Sequence, residues 1–299
     1  MPREPTTIIS PSKPTILVQL DTDAQPSVFD AVVAVDAGVQ HLFRHGGVTP
    51  ENVRDLVYGT IFTRGPADLN STAIFIGGSN VPAGEAILDM IKKTFFGPFR
   101  VSVLFDGNGS NTTAAAAVLT ALQASGGSLR ETRVLVLAAT GPVGQRIVRL
   151  LGRLGATVAI GSRDLGRAGA LASRLHEATG AQILPFDMTR SDSLAGELRT
   201  ASIVINSGPP GVQLLPAALW QNFSHLKVLI DLNAVPPLGI EGVEATDKNK
   251  GRSGVQAWGA LGVGGTKMKI HKKAIQHLFT ASNQVLDAEE VLALGQALG

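Results

Sequence analysis

The segment VLVLAATGPVGQ, residues 134–145, passes from a run of apolar, β-type residues directly into a glycine-rich turn. Gly141 and Gly144 keep the spacing of the last two glycines of a G-x-G-x-x-G turn, and Ala139 stands in place of the first. In such a turn, backbone N–H groups at the start of a helix face a pyrophosphate, and the helix dipole favours the anion. The alternative is that the glycines only permit tight packing of a strand on a helix. We predict a dinucleotide site formed by Thr140, Gly141, Pro142, Val143 and Gly144.

On both sides of this turn the chain alternates β-type runs with amphipathic helical windows. The β-type runs after the turn lie at 157–161, 181–186, 202–208 and 227–232. Those before it lie at 15–20, 71–79 and 99–109. Such alternation is typical of a parallel sheet covered on both faces. We predict an α/β fold of two lobes with parallel sheets, the second a Rossmann domain, and an active site in the cleft between them.

The length of the chain predicts how these lobes are divided. The chain has 299 residues, of which 44% are hydrophobic and 17% are charged, and this is enough for two domain cores. We predict an N-terminal catalytic domain at 1–125, a Rossmann NAD(P)-binding domain at 126–270 and a C-terminal helical segment at 271–299. The last segment is expected to contain a helix near 272–282 and to pack back on the first domain.

Composition excludes several functional classes. A formal net charge of +2 is too small for a nucleic-acid surface, and the lack of cysteine excludes disulfides and thiolate chemistry. The histidines show no metal-ligand spacing, so no metal site is predicted. No stretch approaches the roughly 18 uninterrupted apolar residues of a membrane helix, and the N-terminus lacks a signal-peptide core. We predict a soluble, cytoplasmic protein that binds neither nucleic acid nor membrane.

The tip of the second predicted Rossmann strand indicates which dinucleotide binds. An NAD-binding fold usually has an acidic residue there, whereas this chain has Ser162 and Arg163. A hydroxyl and a guanidinium suit a 2′-phosphate, which favours NADP over NAD. Asp164 follows and could bind a ribose hydroxyl, so NAD use stays open, and the alternative for Arg163 is a solvated loop residue. Three residues at the ends of later strands are predicted to contact the nicotinamide half: Ser207, Gly208 and Asn233.

Seven long segments of the chain, taken together, resemble one family. They are QLDTDAQPSVFDAVVAVDAG (19–38), STAIFIGGS (71–79), KKTFFGPFRVSVLFDGNGSNTTAAAA (92–117), LAATGPVG (137–144), LPAALWQN (215–222), NAVPPLGIEGVEATDKNK (233–250) and GALGVGGTKMKIHKKAIQHLF (259–279). The chain is similar in these segments to the NAD(P)-dependent methylene-tetrahydromethanopterin dehydrogenases of methylotrophic bacteria. This resemblance implies oxidation of a methylene group that bridges two pterin nitrogens to the methenyl cation, with the hydride passed to NAD(P). The family's usual glycine at position 139 is alanine here. We further predict a homo-oligomer.

The chemistry of this reaction agrees with the residues present. Removing a hydride from an N–CH2–N carbon leaves a cation delocalised over both nitrogens, so no general base is required. The only tyrosine, Tyr58, is followed four residues later by Phe62, so a Tyr-x-x-x-Lys pair for alcohol oxidation is lacking. Catalysis is expected to come from holding the donor carbon near the nicotinamide and from fixed charges.

Candidate catalytic residues follow from sequence position and from the resemblance. Asp21 and Asp23 come directly after the first predicted strand, where their oxygens could bind the pterin ring or stabilise the cation; the alternative is that they cap the next helix. The resemblance places Lys267 at the pterin site, where it would orient the substrate, whereas the K-x-K-x-H pattern alone favours a solvated face. The remaining predicted substrate-binding residues are Lys93, Phe96, Asp106, Asn108, Ser110, Asn111 and His271, of which the Asp, Asn and Ser residues could instead be local helix caps.

Two other functional classes stay open. One is another two-domain NADP-dependent oxidoreductase, such as a methylene-tetrahydrofolate dehydrogenase. The other is a non-catalytic module that senses NADP. An assay that follows reduced nicotinamide separates them, because a sensor gives no signal and a different oxidoreductase responds only to its own substrate.

Overall fold

A computed structural model of the chain describes residues 13–298. Contacts within the chain divide it into two compact units. The first unit comprises the described residues up to Asn111 together with Lys269–Leu294, and the second comprises Thr112–Met268 and the residues after Leu294. The divisions fall inside continuous helices, such as Ser110–Ala124 and Ala260–Leu278, rather than in exposed linkers.

The strands and helices are numbered along the chain. The strands are β1 (Ile16–Asp21), β2 (His41–His45), β3 (Thr72–Gly77), β4 (Ser102–Phe105), β5 (Arg133–Leu137), β6 (Thr157–Ser162), β7 (Ile183–Asp187), β8 (Ile203–Asn206), β9 (Val228–Asp231), β10 (Lys248–Arg252), β11 (Val255–Trp258) and β12 (Val285–Leu286). The α-helices are α1 (Val28–Asp36), α2 (Val53–Ile61), α3 (Val81–Thr94), α4 (Ser110–Ala124), α5 (Pro142–Arg153), α6 (Leu165–Thr179), α7 (Ser191–Leu198), α8 (Ala217–Trp220), α9 (Ala260–Leu278) and α10 (Ala288–Gln296). Short 3₁₀ turns lie at Pro66–Ser71 and Gly107–Gly109.

The first unit is built on a five-stranded parallel sheet in the order β12-β4-β3-β1-β2. Every residue of the central strand β3 is buried, as expected for a parallel strand covered on both faces. One face packs against α2 and α3 in a core that contains Ile74, Val57 and Ile87. The strand β2 was not predicted, because HLFRH lacks an apolar run and lies exposed at the sheet edge.

The second unit contains a seven-stranded sheet in the order β10-β11-β9-β8-β5-β6-β7. All its pairs are parallel except β10 with β11. From β5 the chain runs outward to β6 and β7 and then returns to β8 on the other side, so the strand order reverses between β5 and β8. In open α/β sheets, ligands bind beyond the carboxyl ends of the strands at such a reversal. This architecture confirms the predicted α/β class with parallel sheets and a Rossmann-type second unit.

The helix predicted near 272–282 is longer and begins earlier. α9 runs from Ala260 to Leu278 and includes the glycine-dense stretch. Gly262 lies inside this helix. The position must be glycine, because a Cβ there would lie 1.9 Å from the carbonyl oxygen of Asp247. Tertiary packing therefore requires a glycine within a helix, which local propensity disfavours. Among residues 13–298, no helix is both long enough and apolar enough to cross a membrane.

Candidate functional site

The glycine-rich turn of the second unit connects β5 to α5. Gly141 precedes the helix in an extended conformation, and Pro142 occupies its first turn. The residue with the left-handed conformation is Ala138 (φ 53°), one position before the alanine that replaces the first glycine of the motif. A Cβ on Gly144 would lie 2.7 Å from Cα and O of Ala139, so this glycine lets the helix approach the turn closely.

The turn has the chemistry that a pyrophosphate requires. The nearest atom to a Cβ placed on Gly141 would be the carbonyl oxygen of Ala138, 3.8 Å away, so the space in front of this residue is open. The first N–H groups of α5 have no partner within the helix and point toward the same end. Thr140 precedes Gly141, Val143 follows it by two residues, and both are partly exposed. An NAD(P) pyrophosphate therefore fits the residues present.

The carboxyl end of β6 carries the residues predicted to select the nucleotide. Arg163 is exposed, whereas Ser162 is only 4% exposed and its hydroxyl accepts a hydrogen bond from the Asp164 N–H at 3.1 Å. Asp164 caps α6 by accepting from the Arg167 N–H at 2.9 Å. Ser162 thus shapes the turn, and Arg163 is the group that can reach a ligand.

Sequence reasoning missed Arg167. This residue lines a cavity of about 280 Å³ together with Thr140 of the glycine turn and Arg174. Arg174 donates to Gln145, which in turn donates to the Thr140 carbonyl at 2.8 Å. The signal in the sequence was its spacing from Arg163. Arg167 comes four residues after Arg163 and lies in the first turn of α6, so both arginines lie at the amino end of that helix.

Three predicted nicotinamide-side residues lie at the carboxyl ends of β8 and β9. The Ser207 hydroxyl donates to the Leu137 carbonyl at 2.9 Å, which ties β8 to the start of the glycine turn. The Gly208 N–H donates to the side-chain oxygen of Asn206 at 3.0 Å. Asn233 is only 3% exposed and holds its own loop, because its side chain donates to the Pro237 carbonyl and accepts from the Val235 N–H.

In the first unit, Asp21 and Asp23 both lie at the carboxyl end of β1 but differ in environment. Asp21 is fully buried, and its carboxylate accepts from the N–H groups of Asp23 at 2.9 Å and Ser27 at 3.0 Å. Asp23 is partly exposed and accepts from both the N–H and the hydroxyl of Ser79, at 2.9 and 2.7 Å. Asp21 therefore orders the loop and does not cap α1, whose N-cap is Ser27, and Asp23 presents an oriented carboxylate.

The polar cluster after β4 is mainly internal. Asp106, Ser110 and Asn111 are each at most 1% exposed. Asp106 accepts from the Asn111 N–H, and Ser110 donates to the Gly107 carbonyl, so both act within the turn that starts α4. Asn108 is exposed and left-handed (φ 51°), and its N–H donates to the Gly78 carbonyl at 2.7 Å. Of this cluster, only Asn108 is available to a ligand in the structure.

Two loop residues that sequence reasoning missed complete this edge. Ser79 and Asn80 follow β3 and are exposed, and the Asn80 N–H donates to the Thr22 hydroxyl at 3.3 Å. The loops after β1, β3 and β4 are thereby joined by hydrogen bonds into one polar surface. We call the exposed or partly exposed residues Asp23, Ser79, Asn80 and Asn108 the carboxyl-edge surface. A glycine pair followed by Ser-Asn at the end of a strand was the available signal.

The structure does not bring Lys93 and Phe96 to this surface. α3 begins beside the carboxyl end of β3 and runs back for 14 residues, about 21 Å, to the amino end of β4. Lys93 lies in its last turn, and Phe96 follows it. Phe96 packs with Phe62 and Phe99 at ring distances of 5.8 and 5.4 Å, at the opposite edge of the sheet. The parallel topology, which places α3 antiparallel to its strands, is the reason.

Lys267 and His271 lie on one face of α9, one turn apart. Lys267 is partly exposed. His271 is fully buried and stacks on Phe75 at a ring distance of 5.7 Å, with Phe29 at 6.4 Å. The pattern K-x-K-x-H does not alternate as in a strand, because the segment is helical and Lys269 points away from Lys267.

Comparison with known proteins gives three kinds of match. Residues 28–108 match the family model described as "Methylene-tetrahydromethanopterin dehydrogenase, N-terminal". Two proteins of Methylorubrum extorquens are similar over nearly the whole chain. The "Bifunctional protein MdtA" is 47% identical, with 95% of this chain and 98% of the relative covered. The "NAD(P)-dependent methylenetetrahydromethanopterin dehydrogenase" is 32% identical, with 94% of each covered.

A solved structure shares the fold at low sequence identity. Shikimate 5-dehydrogenase from Listeria monocytogenes, in complex with shikimate and NAD, superimposes with a TM-score of 0.54 at 14% identity and covers 95% of this chain and 96% of its own. At this identity the likeness supports the two-sheet α/β fold and carries no information about the substrate of this chain.

Proposed function

Because the chain belongs to the methylene-tetrahydromethanopterin dehydrogenase family, we propose that it is an NAD(P)-dependent oxidoreductase that acts on the one-carbon carrier tetrahydromethanopterin. The observation that carries this proposal is the 32% identity, over 94% of the chain and across both units, to a protein whose name is that of an NAD(P)-dependent methylenetetrahydromethanopterin dehydrogenase. The reaction removes a hydride from the methylene carbon that bridges two pterin nitrogens. The product is the methenyl cation, and the hydride acceptor is NAD(P)⁺.

The second unit would hold the nucleotide through residues at the carboxyl edge of its sheet. The first-turn N–H groups of α5, after the open Gly141, would bind the pyrophosphate. Arg163 and Arg167 would bind the adenosine side, and an exposed guanidinium there supports a preference for NADP over NAD. When bound, the nicotinamide supplies the hydride acceptor. NAD use stays open, because Asp164 lies beside Arg163.

The first unit would hold the pterin through its carboxyl-edge surface. Asp23 offers a carboxylate that Ser79 fixes through two hydrogen bonds, so little orientation is lost when a donor on the ligand binds. A negative charge held in place also favours the cation that forms in the reaction. Asn108 adds an exposed amide on the neighbouring loop. Lys267 would orient the substrate by donating hydrogen bonds, since a charged ammonium next to the forming cation would oppose the reaction.

The test is an absorbance assay for reduced nicotinamide with both one-carbon carriers and both nucleotides. We expect the fastest signal with methylene-tetrahydromethanopterin and NADP⁺. A signal with methylene-tetrahydrofolate alone would support the folate alternative, and binding of NADP⁺ without turnover of either carrier would support a sensing module. A cytoplasmic location and a homo-oligomer stay predictions, and sedimentation of the purified protein tests the second.

A further inference from the structure

Two polar side chains are fully buried at the carboxyl end of the second sheet. Asn206 is the last residue of β8 and Asp231 the last of β9, and the two are paired in register. The Asn206 amide donates to Asp231 Oδ1 at 2.7 Å, and the Asn206 side-chain oxygen accepts from the Gly208 N–H at 3.0 Å. A buried polar pair contributes little net stability compared with apolar residues of the same shape, so its position at the strand ends points to another role.

The Asp231 carboxylate ties both ends of the following loop, residues 232–240. Its Oδ1 accepts from the Asn233 N–H at 3.0 Å, and its Oδ2 accepts from the Ile240 N–H at 2.8 Å. Gly239 lies so close that a Cβ there would be 1.7 Å from Asn206 Nδ2. The Asn206 amide and the N–H groups of Asn233 and Ile240 are all donors to residue 231. A carboxylate is needed at position 231 because it offers acceptors only.

The tied loop carries exposed residues between its two anchored amides. Val235 is 50% exposed, and Val212 of the loop after β8 is 42% exposed. The two loops lie close together, since a Cβ added to Gly211 would lie 3.7 Å from the Pro236 carbonyl oxygen and 4.0 Å from Val235 Cγ1. They form a small apolar surface at the edge where a nucleotide is expected to bind, and apolar walls with few polar groups are typical of sites for flat rings.

We propose that Asn206 and Asp231 are positioning residues for the nicotinamide half of the nucleotide. They act through the loops 208–212 and 232–240 and do not contact the reacting atoms. This inference rests on the proposed function in that it takes the ligand to be NADP. It explains why β8, which borders the reversal of strand order, and its neighbour β9 both end in a buried polar residue.

The test separates the two halves of the nucleotide. Asp231→Asn keeps the shape but turns one acceptor into a donor that faces another donor, so the loop must move. We expect the Kd of NADP⁺, measured by fluorescence titration, to rise roughly tenfold, as for the loss of one charge-assisted hydrogen bond. The Kd of adenosine 2′,5′-bisphosphate, which lacks the nicotinamide, is expected to stay within about twofold. At saturating NADP⁺, kcat is expected to fall by roughly tenfold to hundredfold.

A second variant and a control keep the outcome decisive. Asn206→Ser removes the other partner and should give the same split between the two ligands if Asp231→Asn does not fold. The control is Glu197→Gln, which weakens the ion pair with Arg133 (2.5 Å) at the amino edge of the same sheet. It is expected to lower thermal stability with both Kd values unchanged. The opposite outcome is that Asp231→Asn and Asn206→Ser lower stability and leave the ratio of the Kd of NADP⁺ to the Kd of adenosine 2′,5′-bisphosphate as in the parent. In that case Asn206 and Asp231 are only structural, and the inference is overturned.

The same experiment distinguishes failure of the wider proposal. A parent protein that binds NADP⁺ but oxidises no pterin carrier would refute the proposed reaction. The effect of Asp231→Asn on the Kd of NADP⁺ and on the Kd of adenosine 2′,5′-bisphosphate would still decide the inference about Asn206 and Asp231. A parent that binds neither NADP⁺ nor adenosine 2′,5′-bisphosphate would overturn both.

Discussion

Glycine-to-alanine changes at Gly141 and Gly144 should have opposite consequences for folding and for nucleotide binding. At Gly141 the backbone (φ −76°, ψ 166°) is one that alanine adopts without strain, and the nearest atom to the new methyl is 3.8 Å away. At Gly144 the methyl would lie 2.7 Å from Ala139 Cα, where ordinary carbon contacts are about 3.5–4.0 Å. The first change adds a group in front of the turn, and the second forces α5 away from it.

The expected magnitudes follow from these contacts. Gly141→Ala should leave the free energy of unfolding unchanged or raise it by up to about 1 kcal/mol, through the lower entropy of the unfolded chain. Its methyl would displace the pyrophosphate from one N–H group, at a cost of about 1.5–3 kcal/mol, or roughly tenfold to hundredfold in Kd. Gly144→Ala should lower the free energy of unfolding by about 1–3 kcal/mol, as overpacking does.

The assay combines urea unfolding of the protein without nucleotide with titration of NADP⁺. The matched control is Gly169→Ala on α6, where nothing lies within 4 Å of the new methyl. This variant is expected to gain about 0.5–1 kcal/mol in stability with no change in Kd, because alanine is favoured over glycine inside a helix. An unchanged Kd for Gly141→Ala would remove the turn from the nucleotide site. An equal loss of stability in the Gly141 and Gly144 variants would refute the assignment of open space to the first.

Three further changes test other parts of the molecule. Arg163→Ala should lower the ratio of kcat/KM for NADP over NAD by roughly tenfold. This is the low end for a charge-assisted contact, because the side chain is exposed to solvent and salt. An equal loss of kcat/KM for both nucleotides would indicate that Arg163 stacks on adenine instead. Lys267→Ala should lower kcat without removing a step from the pH profile, whereas the loss of a step with a lysine pKa would indicate proton transfer. Burial raises the pKa of Asp247. Hydrogen bonds from the Arg252 side chain and the Glu244 N–H lower this pKa by more than burial raises it, so the pKa lies below its usual value. The ionised carboxylate therefore stabilises the fold at pH values above its unfolded pKa of about 3.9. Urea unfolding at neutral pH should show that Asp247→Asn lowers the free energy of unfolding by about 1–3 kcal/mol. This difference between variant and parent should become smaller as the pH falls through and below about 3.9.

The elements that the sequence predicted are those in which local pattern and tertiary role agree. The segment from β5 through α5 combines an apolar run, a glycine turn and a helix with Pro142 in its first turn, and each of these features acts locally. The strand β2 could not be found, because an exposed edge strand has no apolar alternation to detect. The early start of α9 could not be found either, because Gly262 is explained by its approach to Asp247 rather than by its neighbours in sequence.

Site residues were harder to predict than the fold, because exposure and direction depend on packing. Asp106 and Asn111 have the residue types of a binding site, but both are buried in the turn that begins α4. Lys93 lies in a segment that resembles the family, yet the antiparallel run of α3 carries it to the other edge of the sheet. Residue type and position after a strand predicted that Asp23 and Asn108 follow strand ends, and only the structure distinguishes exposed from internal groups there.

The two aspartates after β1 differ in what they do for the loops at this strand end. Asp21 is the in-register neighbour of Gly77 and accepts hydrogen bonds from Asp23 and Ser27, so its burial fixes the path of the loop. A Cβ on Gly78 would lie 2.6 Å from Asp21 Oδ1, so the loop after β3 must also pass close to this carboxylate. That close passage brings Ser79 to Asp23, where it donates twice. The buried carboxylate thus sets the geometry in which the exposed one is held, and any contribution of Asp21 to catalysis would be exerted through the orientation of Asp23.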